Sequence, residues 1–163
     1  MRRTLDRFLA KLNHPDVYLL HGDMWHFTEY SNKRPDNVID FGIQEPTVVN
    51  FGSGLAYNGK TVFIYGVSGM ILHRGYEQIK LNIKGWSEFK GNIIFINSGH
   101  TNCYRDAGRG HLIDDDIILC KALKIPVHTP DTHTEFLHTV KNIIRKPIGV
   151  NFVRFGDDNC NWI

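Results

Sequence analysis

The stretch that decides the fold is Asp40-Phe41-Gly42-Ile43-Gln44-Glu45, preceded by the apolar pair Val38-Ile39 and followed by Val48-Val49-Asn50-Phe51-Gly52-Ser53-Gly54-Leu55-Ala56. The β-branched pair reads as a strand, Gly42 breaks it, and the run of small residues beyond reads as a helix. Glu45 therefore falls in the first helical turn, where the macrodipole favours a carboxylate. An isolated Glu there would be an ordinary helix-start charge. Two further polar segments follow in order: Leu72-His73-Arg74-Gly75-Tyr76-Glu77-Gln78-Ile79 and Gly110-His111-Leu112-Ile113-Asp114-Asp115-Asp116-Ile117.

Outward from this point the chain alternates strand and helix. Leu5, Phe8, Leu9 and Leu12 recur at helical spacing. Short apolar strands are expected at 17–20, 38–39, 62–65, 93–96, 126–128 and 150–153, with helices at 45–57, 69–83, 115–124 and 132–144. Asn58-Gly59 reads as a helix stop. Asp131, Glu135 and the apolar rhythm of Phe136, Val140 and Ile143 read as a capped helix start. Short continuous apolar strands separated by helices predict an α/β fold, a mainly parallel sheet of about six strands with helices on both faces. Ligands of such sheets sit beyond the carboxyl ends of the strands. Asp23, Gly42 to Glu45, Ser68, Met70 and His100 all fall there, and the polar loop from Gly99 to Gly110 is long enough to be functional.

The sequence has 163 residues, which suits one domain with its own core. A hydrophobic share of 42%, a charged share of 22% and a formal charge of +2 are those of an ordinary globular protein. Lys and Arg are scattered, so no nucleic-acid footprint is expected. No apolar run is long enough for a membrane span, and the basic N-terminus lacks the apolar stretch of a secretory signal. A cytoplasmic location follows as an expectation. Cys103, Cys120 and Cys160 form no close pair, and no disulfide framework is expected. His100, Cys103, His111 and Cys120 lack the tight spacing of a structural zinc site.

Taken together, the ordered motifs resemble the pyrimidine-binding domain of transketolase and its relatives, including deoxyxylulose phosphate synthase, which use thiamine diphosphate. In that family a strand-end Gly-Ile-x-Glu places the glutamate that activates the cofactor's aminopyrimidine, and Glu45 matches it. The resemblance implies further roles, residue by residue. His111 matches a histidine that faces the substrate, a task suited to a side chain that titrates near neutral pH. The alternative reading of His111 is a loop histidine beside a helix-start acid cluster, and a polar residue carried on a loop favours the substrate role. His100 resembles a second substrate histidine, at an interval one residue shorter than usual. Arg105 and Arg109 could hold a phosphate or carboxylate of the substrate, or be solvated loop charges. Asp23 matches an aspartate near the cofactor and the subunit contact. Arg74, Glu77 and Gln78 match the family's Arg-Ala-Tyr-Asp-Gln helix, with Arg74 near the cofactor. Relatives place a phenylalanine just before this helix to stack on the pyrimidine; here the candidates are Val67, Met70 and Ile71, with Tyr65 the nearest aromatic.

The resemblance covers roughly residues 15 to 155, one domain of an enzyme that needs at least two. The family's Gly-Asp-Gly and downstream Asn, which hold Mg²⁺ and the diphosphate, do not occur. The expectation is a single pyrimidine-binding domain over 1–163, lacking diphosphate-binding and C-terminal domains. It would act as a subunit of a split enzyme, in an α2β2 assembly whose partner chain brings Mg²⁺. The implied reaction moves a two-carbon ketol unit between sugars or sugar phosphates. The alternatives are a ketoacid decarboxylase or deoxyxylulose-phosphate-synthase-like carboligase subunit, and a non-catalytic interaction subunit.

Overall fold

The apolar runs lie side by side in one direction. In the computed structural model of the chain, which describes residues 2–24, 27–83, 90–99, 103–112, 114–145 and 149–155, six strands make one sheet. They are β1 (Val17–His21), β2 (Val38–Asp40), β3 (Thr61–Gly66), β4 (Asn92–Ser98), β5 (Val127–His128) and β6 (Gly149–Phe155). Their order is β2-β1-β3-β4-β6-β5, and every neighbouring pair is parallel. The longer helices are α1 (Arg2–Leu12), α2 (Thr28–Lys33), α3 (Glu45–Tyr57), α4 (Ser68–Arg74), α6 (Asp116–Ala122) and α7 (His133–Ile144), with a single turn α5 (Tyr76–Gln78) after α4. The α/β sheet expected from the alternating pattern is observed.

Strand residues divide by parity between two cores, because successive side chains point to opposite faces. On β3, Val62 and Ile64 pack with α3, α4 and α6, whereas Phe63 and Tyr65 pack with α1, α2 and α7. On β4, Ile93 and Phe95 join the first core, Ile94 and Ile96 the second. Each such side chain, fully removed from water, contributes roughly 1.5–3 kcal/mol. Both faces being covered explains why these strands read as continuous apolar runs.

Three local readings are revised. First, α2 was not anticipated. Its first backbone N–H groups are capped from another helix: Asp6 on α1 accepts from Tyr30 N at 2.8 Å and from Glu29 N at 3.0 Å. Second, the helix expected over 69–83 is divided. α4 ends at Arg74, α5 follows Gly75, and Ile79–Ile83 forms a π turn. A Cβ at Gly75 would lie 2.7 Å from the Ile71 carbonyl oxygen and 2.9 Å from Val49 Cγ2, so this glycine lets α4 close onto α3. Third, Cys103 is disulfide-bonded and Cys120 is a buried free thiol, against the expectation of no disulfide. Spacing along the chain carries no information on which cysteines meet in space. The capped start expected from Asp131 and Glu135 is observed, with Thr132 as the cap. Thr132 accepts from Glu135 N at 3.1 Å, while the Glu135 carboxylate accepts from Asp131 N at 2.9 Å, close to a capping box. Among the described residues no helix is long and apolar enough to cross a membrane.

The strand order sets the location of a site. From β1 the chain crosses by α2 to β2 on one side; from β2 it crosses by α3 to β3 on the other side of β1. The segments leaving β1 and β3 therefore diverge, α2 to one face and α4 to the opposite face. Such a switch point opens a crevice at the carboxyl ends of the two strands.

Candidate active site

The crevice is walled by two left-handed turns held by one carboxylate. Asp23, just after β1, has φ of +49°, and Gly42, just after β2, has φ of +64°. Asp40 Oδ1 accepts from the backbone N–H of both, at 3.0 Å from Asp23 N and 2.9 Å from Gly42 N. The two turns touch backbone to backbone: a Cβ at Gly22 would lie 2.3 Å from the Gly42 carbonyl oxygen. Only glycine permits that approach. The Asp40-to-Glu45 motif thus folds as a clamp across two strand ends, and it delivers Glu45 to the start of α3, with Pro46 behind it at a position where no N–H is missed.

A pocket of about 300 Å³ lies beyond these turns. Gly22, Asp23 and Met24 line it from β1, Ile43, Glu45 and Val48 from the second turn and α3. Tyr65, Gly66 and Val67 line it from the end of β3, Met70, Ile71 and Arg74 from α4, and His111 from the loop after β4. One wall is therefore aliphatic and thioether, and the polar groups converge from the other elements. The Glu45 side chain is only 13% exposed, and Arg74 Nη1 donates to its Oε1 at 2.7 Å. Arg74 is half exposed, so the pair sits at the pocket rim rather than in its depth.

Tyr65 is buried at the pocket. Burial pushes its phenol up to about 12, with a hydrogen bond to Ser98 opposing the shift, so it is a neutral group at any physiological pH. Its ring meets Phe27 edge-on at 5.0 Å. Ser98 Oγ, at the end of β4, lies 2.9 Å from the Tyr104 hydroxyl. Burial raises the Tyr104 phenol as well. Two ties then fix the flanking helices: His73 Nε2 lies 2.9 and 2.8 Å from the carboxylate oxygens of Asp115, linking α4 to α6, and Arg154 on β6 pairs with the buried Asp116 at 2.8 Å.

No family model matches the sequence. Over 71 residues the chain is 28% identical to one of the subunits of the apulose-4-phosphate transketolase of Phocaeicola vulgatus, a match that covers 44% of this chain and 22% of that protein. Among solved structures, a split gene transketolase in the form of an inactive beta4 tetramer superposes with a TM-score of 0.77 at 20% identity, over 95% of this chain and 50% of that one. The fold is that of a transketolase domain. Transketolase from Campylobacter jejuni superposes with a TM-score of 0.74 at 14% identity, over 93% of this chain and 25% of the other. The chain thus spans half or less of the length of each of these transketolases.

Within this transketolase fold, the residues singled out from the sequence gather in one place. Asp23, Glu45, Tyr65, Met70, Ile71, Arg74 and His111 all line the pocket. Arg109 stands exposed in the turn Arg109–His111 and is not among the lining residues. The backbone of Arg105 lies in the turn Arg105–Ala107. His100 lies outside the described residues. Ile43, within the stretch Gly42 to Glu45 expected at the strand ends, lines the pocket too, whereas sequence reasoning missed Gly22, Met24, Val48 and Gly66 as pocket residues. Gly66 carries a readable signal, a glycine that ends a strand. A Cβ there would lie 2.5 Å from Ile71 Cδ1, so its absence seats Ile71 against the strand end.

Proposed function

We propose that this chain is the pyrimidine-binding subunit of a thiamine-diphosphate-dependent, transketolase-like enzyme that moves a two-carbon ketol unit between sugars. A separate diphosphate-binding chain completes the enzyme and brings Mg²⁺, in an α2β2 assembly. The observation that carries the reading is the placement of a largely buried carboxylate, Glu45, in a pocket at the switch point between β1 and β3. The residues present fit the cofactor's aminopyrimidine: a volume of about 300 Å³ suits one substituted ring, Val67, Met70 and Ile71 offer an apolar wall to its face, and Glu45 offers an acceptor to its edge. When bound, the cofactor supplies a carbon nucleophile that no side chain can provide.

The chain's own residues do the rest. Glu45 holds or accepts a proton at the pyrimidine ring nitrogen, in a site dry enough to strengthen that bond. The apolar wall excludes water and orients the ring. His111, which lines the same pocket, moves a proton at a substrate hydroxyl. Met70 supplies a polarizable contact in place of the family's ring. The name of the Phocaeicola vulgatus relative points to phosphorylated ketoses as the substrate class, and its designation as one subunit among others supports a partner chain.

The test is Glu45→Gln in the chain reconstituted with its diphosphate-binding partner. Hydrogen–deuterium exchange at the cofactor's thiazolium C2 falls roughly a hundredfold or more, the cost of removing one preorganised group, while folding and partner binding persist. Exchange at the wild-type rate would remove Glu45 from the mechanism.

A further inference from the structure

We propose that Tyr104 is the positioning residue that sets where His111 stands in the pocket, through the contact of its hydroxyl with Ser98 at the end of β4. The inference rests on the functional reading of the pocket and adds to it how the substrate-side loop is fixed.

The loop between β4 and α6 is tied at its start by the Cys103 disulfide and by Gly99 N donating to Phe155 O at 2.9 Å. Beyond Tyr104 its described backbone bonds are local, Ala107 N to Tyr104 O at 3.0 Å and His111 N to Gly108 O at 3.0 Å, within two short 3₁₀ turns. Residues 106–110 are exposed. Tyr104 instead reaches down to the sheet. Its ring sits on Gly99, where φ is +81° and a Cβ would lie 2.5 Å from Tyr104 Cε2. Its hydroxyl lies 2.9 Å from Ser98 Oγ, and Ser98 is 4% exposed, so water does not compete for that contact. Its ring centroid is 6.4 Å from that of His111. One side chain therefore meets the strand end, its buried hydroxyl and the histidine. A displaced loop would move His111 off the substrate by an ångström or so, enough to cost a proton transfer its geometry.

The experiment is imidazole-detected NMR on the full chain, with the His111 ring signals assigned by His111→Gln. Tyr104→Phe keeps the ring on Gly99 and deletes only the hydroxyl; Ser98→Ala deletes its partner. Each single variant shifts the His111 ring signals, and the double variant shifts them no further than the larger single effect, since both cut one contact. The signals of His14 and His138, remote from the loop, stay in place, which a general loss of stability would not produce. Unchanged His111 signals in both single variants, or fully additive shifts in the double, overturn the proposal. Neither outcome needs the partner or a substrate. Intact C2 exchange in Glu45→Gln would therefore sink the functional reading while leaving this result standing, and the reverse holds equally.

Discussion

The contact between Glu45 and Arg74 gives the most direct physical test of the site. Arg74→Met removes the guanidinium and keeps the aliphatic stem, so packing along α4 is largely preserved. Exposed ion pairs contribute about 0.2–1 kcal/mol, whereas breaking a buried pair costs about 3–5 kcal/mol, because a charge is left without a partner. Here the carboxylate is 13% exposed and the guanidinium 48%. The loss from Arg74→Met belongs between the two ranges, about 1–2 kcal/mol, most of it from stranding the Glu45 carboxylate. Glu45→Gln strands a group that water already reaches, and costs about 0.5–1 kcal/mol by the same reasoning. The double variant should lose about 1 kcal/mol less than the sum of the singles. For a domain of this size 1 kcal/mol is about 2–4 °C in Tm. Urea unfolding of the four proteins, at low and at high salt, measures the cycle. The coupling should shrink with salt, as a pair at the pocket rim is partly screened. Single-variant losses that add to within about 0.3 kcal/mol would refute the pair as a working contact in solution.

Two further outcomes follow from the same geometry. Gly66→Ala forces Ile71 off the strand end and toward the pocket, at an overpacking cost of about 1–3 kcal/mol. Calorimetry on the reconstituted complex should show weakened thiamine diphosphate binding, recovered when Ile71→Val removes the clashing methyl; unaltered affinity in Gly66→Ala would mean Ile71 is not a cofactor wall. At alkaline pH, burial holds the phenols of Tyr30 and Tyr65 up to about 12, against an ordinary 10. The unfolded chain releases these protons first, so the stabilisation is complete below about pH 10 and is lost as pH rises toward 12. Urea midpoints should fall across that window, and less steeply in Tyr65→Phe; a flat profile would show that the phenols ionise in place.

The parts of the fold that were legible in the sequence are those fixed by local chemistry. Each strand of the buried sheet is a short run of β-branched and aromatic residues, and each is found within a residue or two of its expected bounds. Gly59, with φ of +78°, ends α3 as the Asn58-Gly59 pair indicates. What was not legible depends on a partner distant in sequence. The six residues of α2 carry no apolar periodicity, and two of its N–H groups, those of Glu29 and Tyr30, are satisfied by Asp6, more than twenty positions earlier. The break at Gly75 has a similar origin: the glycine looks like a flaw in a helix until Val49 and the Ile71 carbonyl occupy the space a side chain would need.

The site follows the same division. Asp23, Glu45, Met70 and His111 could be placed beforehand because a parallel sheet sends the residues after its strands to one edge, and the order of motifs says which strand each follows. Their mutual contacts could not. Arg74 reads as one cation on a polar helix face, and nothing in its neighbours along the chain indicates that it ends 2.7 Å from Glu45. The acid cluster Asp114-Asp115-Asp116 reads as a helix start, yet two of its members reach other elements, Asp115 to the His73 ring at 2.8 Å and Asp116 to Arg154 in an ion pair. Tying α4 and β6 to the start of α6 fixes the far end of the loop that carries His111, while the Cys103 disulfide and Tyr104 hold its near end. A histidine on an exposed loop is thereby held from both sides, with the clamp of Asp40 holding Glu45 in the same pocket. The chemistry proposed for the pocket needs those two groups at a constant separation, and in this chain that separation is set by residues that never touch a ligand.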